Sequence, residues 1–151
     1  RSHCDWSSDV CSSDLVSWVH AAAALDFELR IAAPAEFQPS AETLAKAGGN
    51  ISCTQDIRAA VKGADMVYTD VWVSMGMEAE AEERLAKLAG YQINGGLMCL
   101  AKPDALVMHC LPAYRGKEID AETFEAHADT IFTQAENRLH TQKAILAWLA
   151  G

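Results

Sequence analysis

The chain has 151 residues, of which 50% are hydrophobic and 22% charged, a composition typical of a globular domain that can bury a core. Its formal net charge of −9 argues against binding to nucleic acid or to an anionic membrane, because both need basic patches. No apolar run reaches membrane-spanning length. The five cysteines show neither CxxC nor zinc-ligand spacing, and the group His3, Cys4 and Cys11 fits no common metal site. We therefore expect reduced thiols in a cytoplasmic protein.

Residues 1–15 differ in composition from the rest of the chain. They are rich in Ser, Asp and Cys, and the segment Trp6–Val10 is nearly repeated in Cys11–Leu15. The segment lacks helical or strand periodicity and resembles the translated adaptor sequence found at the ends of some metagenomic gene fragments. We predict a foreign, poorly ordered leader over residues 1–15 and a single domain over residues 16–151.

From residue 16 onward, helix and strand patterns alternate. The predicted helices cover residues 16–25, 40–47, 56–61, 78–89, 94–100, 120–127 and 134–150. The predicted strands cover residues 27–33, 51–54, 65–70, 105–108 and 130–132. Ser17, Ser40 and Asp56 are candidate N-caps for the first three helices. This alternation indicates βαβ units, so we predict an α/β fold with a doubly wound, Rossmann-like parallel sheet.

The strand over residues 105–108 leads directly into a histidine and a cysteine. Pro112 cannot donate to a sheet ladder, so the chain must leave the sheet there, and His109 and Cys110 fall at the carboxyl end of the strand. Ligands bind at that edge of open α/β sheets. A thiol beside an imidazole is a candidate reactive group. The alternative is a cysteine that packs as a small hydrophobic residue, with the histidine capping the strand.

Two further elements supply polar groups. Asp70 ends the strand over residues 65–70 and can hold an ammonium group, while Ser74 and Met75 follow in a glycine-containing turn with a hydroxyl and backbone polar groups. Arg138 carries a fork of N–H donors suited to phosphate or a carbamoyl carbonyl. The alternatives are an N-cap or ordinary loop carboxylate for Asp70 and a solvated surface side chain for Arg138. Because parallel strands end at one edge, the loops after residues 69 and 108 can share a crevice.

Three separated segments together resemble the signatures of the ornithine carbamoyltransferases, in that family's order. They are Tyr68–Gly76, His109–Ala113 and Ala135–His140. The likeness covers roughly residues 16–150. Aspartate carbamoyltransferases have a proline where Cys110 stands, and the loop over residues 74–76 is more similar to the ornithine type than to the putrescine or acetylornithine types.

The resemblance implies attack of the ornithine δ-amine on the carbonyl carbon of carbamoyl phosphate, giving citrulline and phosphate by direct transfer. It assigns ornithine binding to Asp70, Ser74 and Met75. It assigns carbamoyl phosphate binding to Cys110, Leu111 and Arg138, with catalysis resting on Cys110, Asp70 and Arg138. His109 and Pro112 would support these groups, and no metal or organic cofactor is implied.

The chain also departs from that family's pattern. The amino-terminal carbamoyl-phosphate domain with its Ser-x-Arg-Thr loop has no counterpart in the sequence, and Ser13 falls where an ornithine-binding asparagine is expected. Family members assemble as homotrimers or larger oligomers, largely through that domain. We therefore expect this polypeptide to be inactive alone. We also expect its terminal helix to expose an apolar face around Ile145, Leu146, Trp148 and Leu149.

Two other functions remain open from the residues. A nucleotide-binding dehydrogenase fragment shares the βαβ pattern but requires a GxGxxG turn after a strand, which Gly48-Gly49 and Gly95-Gly96 do not provide. The other alternative is a non-catalytic domain that binds a small amino acid.

Overall fold

The computed structural model describes the backbone of residues 10–73 and 81–151, with side chains described from residue 14 onward. Helices and strands alternate along this part of the chain. The helices are α1 (Val10–Leu25), α2 (Ala41–Ala47), α3 (Ile57–Val61), α4 (Ala81–Leu88), α5 (Gly95–Met98), α6 (Ala121–Ala126) and α7 (Ala128–Ala150). The strands are β1 (Leu29–Ala32), β2 (Ile51–Thr54), β3 (Met66–Thr69) and β4 (Leu106–His109). Short 3-10 turns cover Ala35–Phe37 and Ala89–Tyr91.

The chain divides into two compact units, and the single domain that we expected over residues 16–151 stays a prediction. The first unit is Arg1–Val61 with Trp72–Tyr91, and the second is Lys62–Val71 with Gln92–Gly151. Each unit contains one pair of parallel strands, β1 with β2 and β3 with β4. The predicted α/β class with parallel strands is therefore confirmed, with the described strands arranged as two pairs.

Local sequence signals explain the first unit well. The Ser40 Oγ accepts a hydrogen bond from the Thr43 N–H at 3.1 Å, so the predicted cap of α2 is confirmed. At α3, Asp56 Oδ1 accepts from the N–H groups of Arg58 and Ala59, as its predicted capping role requires. The apolar faces of these elements form a small core. Its buried residues are Val19, Ala22, Ile31, Ala60, Val61 and Leu88.

The start of α1 differs from our prediction. We placed it at Val16 with Ser17 as its cap, but the helix begins at Val10 and Ser17 lies in its interior. The alanine run Ala21–Ala24 is a strong helix former, and once a helix is nucleated each added residue gains one hydrogen bond. Extension toward the amino terminus is therefore favourable even through serine and aspartate. The foreign origin that we inferred for residues 1–15 stays a prediction.

The predicted strand over residues 130–132 is wrong, because these residues belong to α7. Thr130, Ile131 and Phe132 have strand propensity, but Ile131 is fully buried on the helix and its N–H donates to the His127 carbonyl at 3.1 Å. Packing of one apolar side chain thus outweighs a weak local preference. The helix that we predicted from residue 134 consequently begins six residues earlier.

The second unit has its own core around β3 and β4. The buried apolar residues are Val67, Ile93, Leu97, Ala105, Val107, Ile119, Phe124 and Ile131. Three polar residues, His109, Glu118 and Thr123, are buried with them. In the carboxyl-terminal half of α7, Ile145, Leu146, Trp148 and Leu149 are exposed, as we expected. Among the described residues, no helix combines the length and apolar character needed to cross a membrane.

Candidate active site

The register of β3 and β4 determines which residues meet at the carboxyl edge of the second unit. The two strands run parallel, and Thr69 at the end of β3 is paired with His109 at the end of β4. Asp70 follows β3 and Cys110 follows β4, so the two residues leave the strand pair at the same position along it. Asp70 and Cys110, which are 40 positions apart in the chain, become neighbours for this reason, and the crevice that we expect between the two loops stays a prediction.

A direct hydrogen bond joins these two residues. The Cys110 thiol donates to Asp70 Oδ1, with a sulfur–oxygen distance of 2.7 Å. The same oxygen accepts from the Val71 backbone N–H at 2.6 Å. Both residues are half-buried. Within the described residues, Asp70 Oδ2 accepts no hydrogen bond, so one carboxylate oxygen is oriented by the protein and the other can accept from a ligand.

His109, the residue before Cys110, is fully buried. Its Nδ1 accepts the Leu111 backbone N–H at 2.9 Å, and its Nε2 lies 3.3 Å from Oε1 of Glu118. Glu118 is also fully buried, and its Oε1 accepts the Tyr114 backbone N–H as well. Because Nδ1 accepts from an N–H, the ring proton must lie on Nε2 and point to Glu118. The imidazole is therefore held at both nitrogens.

The turn after Cys110 has an unusual backbone. Leu111 has a φ of 58°, in the left-handed region that costs a non-glycine residue about 1–2 kcal/mol. The Leu111–Pro112 peptide bond is cis. Our prediction that the chain leaves the sheet before Pro112 is confirmed, since β4 ends at His109. The bond from the Leu111 N–H to the His109 ring helps to maintain the left-handed conformation of Leu111.

The first turns of α7 contact the end of β4. The side-chain Oε1 of Gln134 accepts the backbone N–H of His109 at 2.9 Å. Arg138 follows Gln134 by four residues, so both side chains project from the same face of the helix. Arg138 is exposed, and its guanidinium forms no ion pair with the described residues. A charged fork of donors is thus available on the helix face that meets the strand end.

The predicted site residues can now be located. Asp70 and Cys110 are in contact, His109, Leu111 and Pro112 form the adjoining turn, and Arg138 lies on the helix bound to His109. Ser74 and Met75 lie outside the described residues.

Sequence reasoning missed two participants in this arrangement. Glu118 follows a lysine in a polar loop and gave no sign that it would be buried. Gln134 precedes the third motif, and only its place one turn before Arg138 hinted at a position facing β4.

Comparison with known proteins accords with this geometry. Residues 3–149 match the family model described as aspartate/ornithine carbamoyltransferase, Asp/Orn binding domain. A protein from Methylococcus capsulatus named ornithine carbamoyltransferase is 52% identical over 133 residues, which cover 88% of this chain and 45% of that protein. The chain therefore spans less than half the length of this curated relative.

Solved structures show the same likeness. The anabolic ornithine carbamoyltransferase from Campylobacter jejuni superposes with a TM-score of 0.83 at 43% identity, over 90% of this chain and 47% of that one. The ornithine carbamoyltransferase from Pyrococcus furiosus gives a TM-score of 0.76 at 42% identity, over 87% of this chain and 44% of that one. Because the match to the family model extends over residues 3–149 of its 151 residues, the chain belongs to the aspartate/ornithine carbamoyltransferase family, in the part described as the Asp/Orn binding domain.

Proposed function

We propose that the chain provides the ornithine-binding side of an ornithine carbamoyltransferase, which transfers the carbamoyl group of carbamoyl phosphate to the ornithine δ-amine. The observation that carries this proposal is the hydrogen bond between Cys110 and Asp70, because it brings two of the three sequence motifs into one site. The similarity to ornithine carbamoyltransferases from Methylococcus capsulatus and Campylobacter jejuni supports ornithine as the acceptor. In the whole protein we infer a homotrimer or larger assembly in the cytoplasm.

Asp70 is the proposed contact for an amino group of ornithine. Its Oδ1 is already occupied by the Cys110 thiol and the Val71 N–H, which orient the carboxylate. Its second oxygen can then accept a charge-assisted hydrogen bond from an ammonium group. Ser74 and Met75, which follow Asp70 in the sequence, are proposed to complete ornithine binding.

Cys110, Leu111 and Arg138 form the proposed carbamoyl side. Cys110 and Leu111 follow directly on the end of β4, and Arg138 belongs to the helix that is bonded to His109. A guanidinium in this position would stabilise the negative charge that develops on oxygen when the amine adds to the carbonyl carbon.

Positioning is the main catalytic contribution that we infer. The attacking amine must be neutral, and it must lie about 3–3.5 Å from the carbonyl carbon for its lone pair to react. In this mechanism, nitrogen forms a bond to the carbamoyl carbon, the bond from that carbon to the phosphate oxygen breaks, and phosphate leaves with the electron pair. The amine loses one proton in the same sequence, and the departing phosphate oxygen, which holds the electron pair, takes that proton up. No covalent intermediate on Cys110 is proposed.

The test uses this chain joined to the part of the Methylococcus capsulatus relative that it does not match. Ornithine affinity is measured by calorimetry in the presence of carbamoyl phosphate or an unreactive analogue. We expect Asp70→Asn to weaken ornithine binding at least about tenfold, since a charge-assisted hydrogen bond is lost. The matched control is Asp104→Asn, an exposed aspartate in the same unit, which should leave affinity unchanged. An unaltered affinity in Asp70→Asn would refute the assignment.

A further inference from the structure

A buried acid is the least expected feature of the second unit. Glu118 is fully buried, and its Oε2 atom is buried without a hydrogen-bond partner among the described residues. Removing a carboxyl group from water is costly, and an apolar side chain of similar size would often serve stability as well or better. The contacts made by its other oxygen therefore need an explanation beyond the packing of the core.

Those contacts all concern the turn after β4. Glu118 Oε1 lies 3.3 Å from His109 Nε2 and also accepts the N–H of Tyr114. The opposite ring nitrogen of His109 accepts the Leu111 N–H at 2.9 Å. A chain of hydrogen bonds thus runs from Glu118 through the imidazole to the backbone of Leu111, the residue with the left-handed φ of 58°.

These hydrogen bonds can form together in only one tautomer of the His109 ring. The Leu111 N–H can donate to Nδ1 only when that nitrogen carries no proton, and Nε2 then needs an acceptor in a fully buried site. Glu118 is that acceptor. Without Glu118, the Nε2–H tautomer would leave the Nε2 proton without an acceptor. The Nδ1–H tautomer would leave the Leu111 N–H without one.

The backbone around Glu118 is anchored independently of its side chain. The Glu118 carbonyl accepts the Ile93 N–H at 2.9 Å, and the Asp120 N–H donates to the Ile93 carbonyl at 3.0 Å. The carboxyl group is therefore presented to His109 from a fixed main chain, as an orienting group requires.

We propose that Glu118 is a positioning residue that fixes His109 as its Nε2–H tautomer and thereby holds the Cys110–Leu111 turn in its left-handed conformation. A role of this turn in binding a carbamoyl group rests on the proposed function. The tautomer of His109 and the conformation of the turn do not depend on that function, since both are properties of the unliganded chain.

The test is nitrogen-15 NMR of the histidine rings together with amide hydrogen exchange, on the whole chain without ligand. In the unsubstituted protein, His109 should carry its proton on Nε2. Glu118→Met, which keeps an approximate size but removes the acceptor, should give mixed tautomers and about tenfold faster exchange at the Leu111 amide. Glu118→Gln should restore both properties, because its carbonyl oxygen can accept the Nε2 proton. Glu122→Met, at an exposed glutamate of α6, is the matched control and should change neither.

Three results would overturn the proposal. They are a proton on Nδ1 in the unsubstituted protein, an unchanged tautomer and Leu111 exchange rate in Glu118→Met, and failure of Glu118→Gln to retain the Nε2 proton. If Glu118→Met does not fold, the unsubstituted protein and Glu118→Gln still decide the matter. The NMR and hydrogen-exchange measurements use no substrate. A failed ornithine measurement would therefore refute the proposed function and leave the proposal about Glu118 unchanged.

Discussion

The Oε1 atom of Gln134 accepts a hydrogen bond from the backbone N–H of His109 at 2.9 Å. This hydrogen bond connects the first turns of α7 to the last residue of β4. Since Arg138 lies one helical turn beyond Gln134, the bond also sets where the guanidinium stands relative to the Cys110 turn.

Replacing Gln134 should loosen this connection. Gln134→Leu leaves the His109 N–H without its acceptor in a partly buried place, so we expect a loss of about 1–3 kcal/mol in the free energy of unfolding. Urea denaturation followed by circular dichroism measures the change. Gln142→Leu, on the exposed part of the same helix, should alter stability by less than about 0.5 kcal/mol. Equal effects at the two positions would show that the contact is not made.

The bond between Cys110 and Asp70 predicts energetic coupling. Cys110→Ala and Asp70→Ala each remove one partner of this bond and should each destabilise the fold, and the double variant should lose less than the sum of the two. A double-mutant cycle by urea unfolding should give a coupling of about 0.5–3 kcal/mol, the range found for residues in contact. Additive effects would mean that the 2.7 Å contact contributes nothing to stability.

The burial of Ile131 predicts an asymmetry within α7. Ile131→Ala removes a fully buried side chain and should cost about 2–5 kcal/mol in the free energy of unfolding. The same substitution at Ile145, which is 51% exposed, should cost much less. Thermal and urea unfolding of the two variants give the comparison. Similar losses would contradict the helical placement of residues 130–132.

The same residue shows what limits inference from sequence. The spacing of apolar residues and the caps at Ser40 and Asp56 are local features, and the elements that they specify were predicted with nearly correct bounds. The start of α7 depends instead on which side chain reaches the core, and Ile131 reaches it only from a helix. Propensity alone could not reveal this.

The residues of the candidate site show the same difference between local signals and tertiary packing. Asp70, His109 and Cys110 could be predicted because a strand ending in register with its parallel neighbour brings the following residues together. Glu118 could not be predicted, because its burial follows from the path of the loop between β4 and α6. The spacing of apolar residues in the sequence does not specify that path. The acceptor role of Gln134 likewise depends on how α7 is placed against β4.

Two free cysteines outside the site should differ in reactivity. Burial raises the pKa of the Cys53 thiol above its ordinary value of 9.0, whereas Cys99 is exposed. The thiolate is the reactive form, so at pH 8 we expect iodoacetamide to label Cys99 faster than Cys53. The labelling rate of Cys53 should continue to rise as the pH passes above 9, because its deprotonation is displaced upward. Peptide mass spectrometry quantifies the labelling of both cysteines in one digest. Faster labelling of Cys53 than of Cys99 at pH 8 would contradict the partial burial of Cys53.

The acceptor preference of the joined protein is the sharpest test of the proposed carbamoyl transfer to ornithine. Carbamoyl phosphate is supplied with equal concentrations of ornithine and aspartate, and the carbamoylated products are quantified by mass spectrometry. The site of Asp70, Cys110 and Arg138 predicts citrulline with one phosphate released per molecule, and a fall of at least about a hundredfold in kcat/KM for Arg138→Leu. Formation of carbamoyl aspartate in place of citrulline, or full activity in Arg138→Leu, would contradict the account.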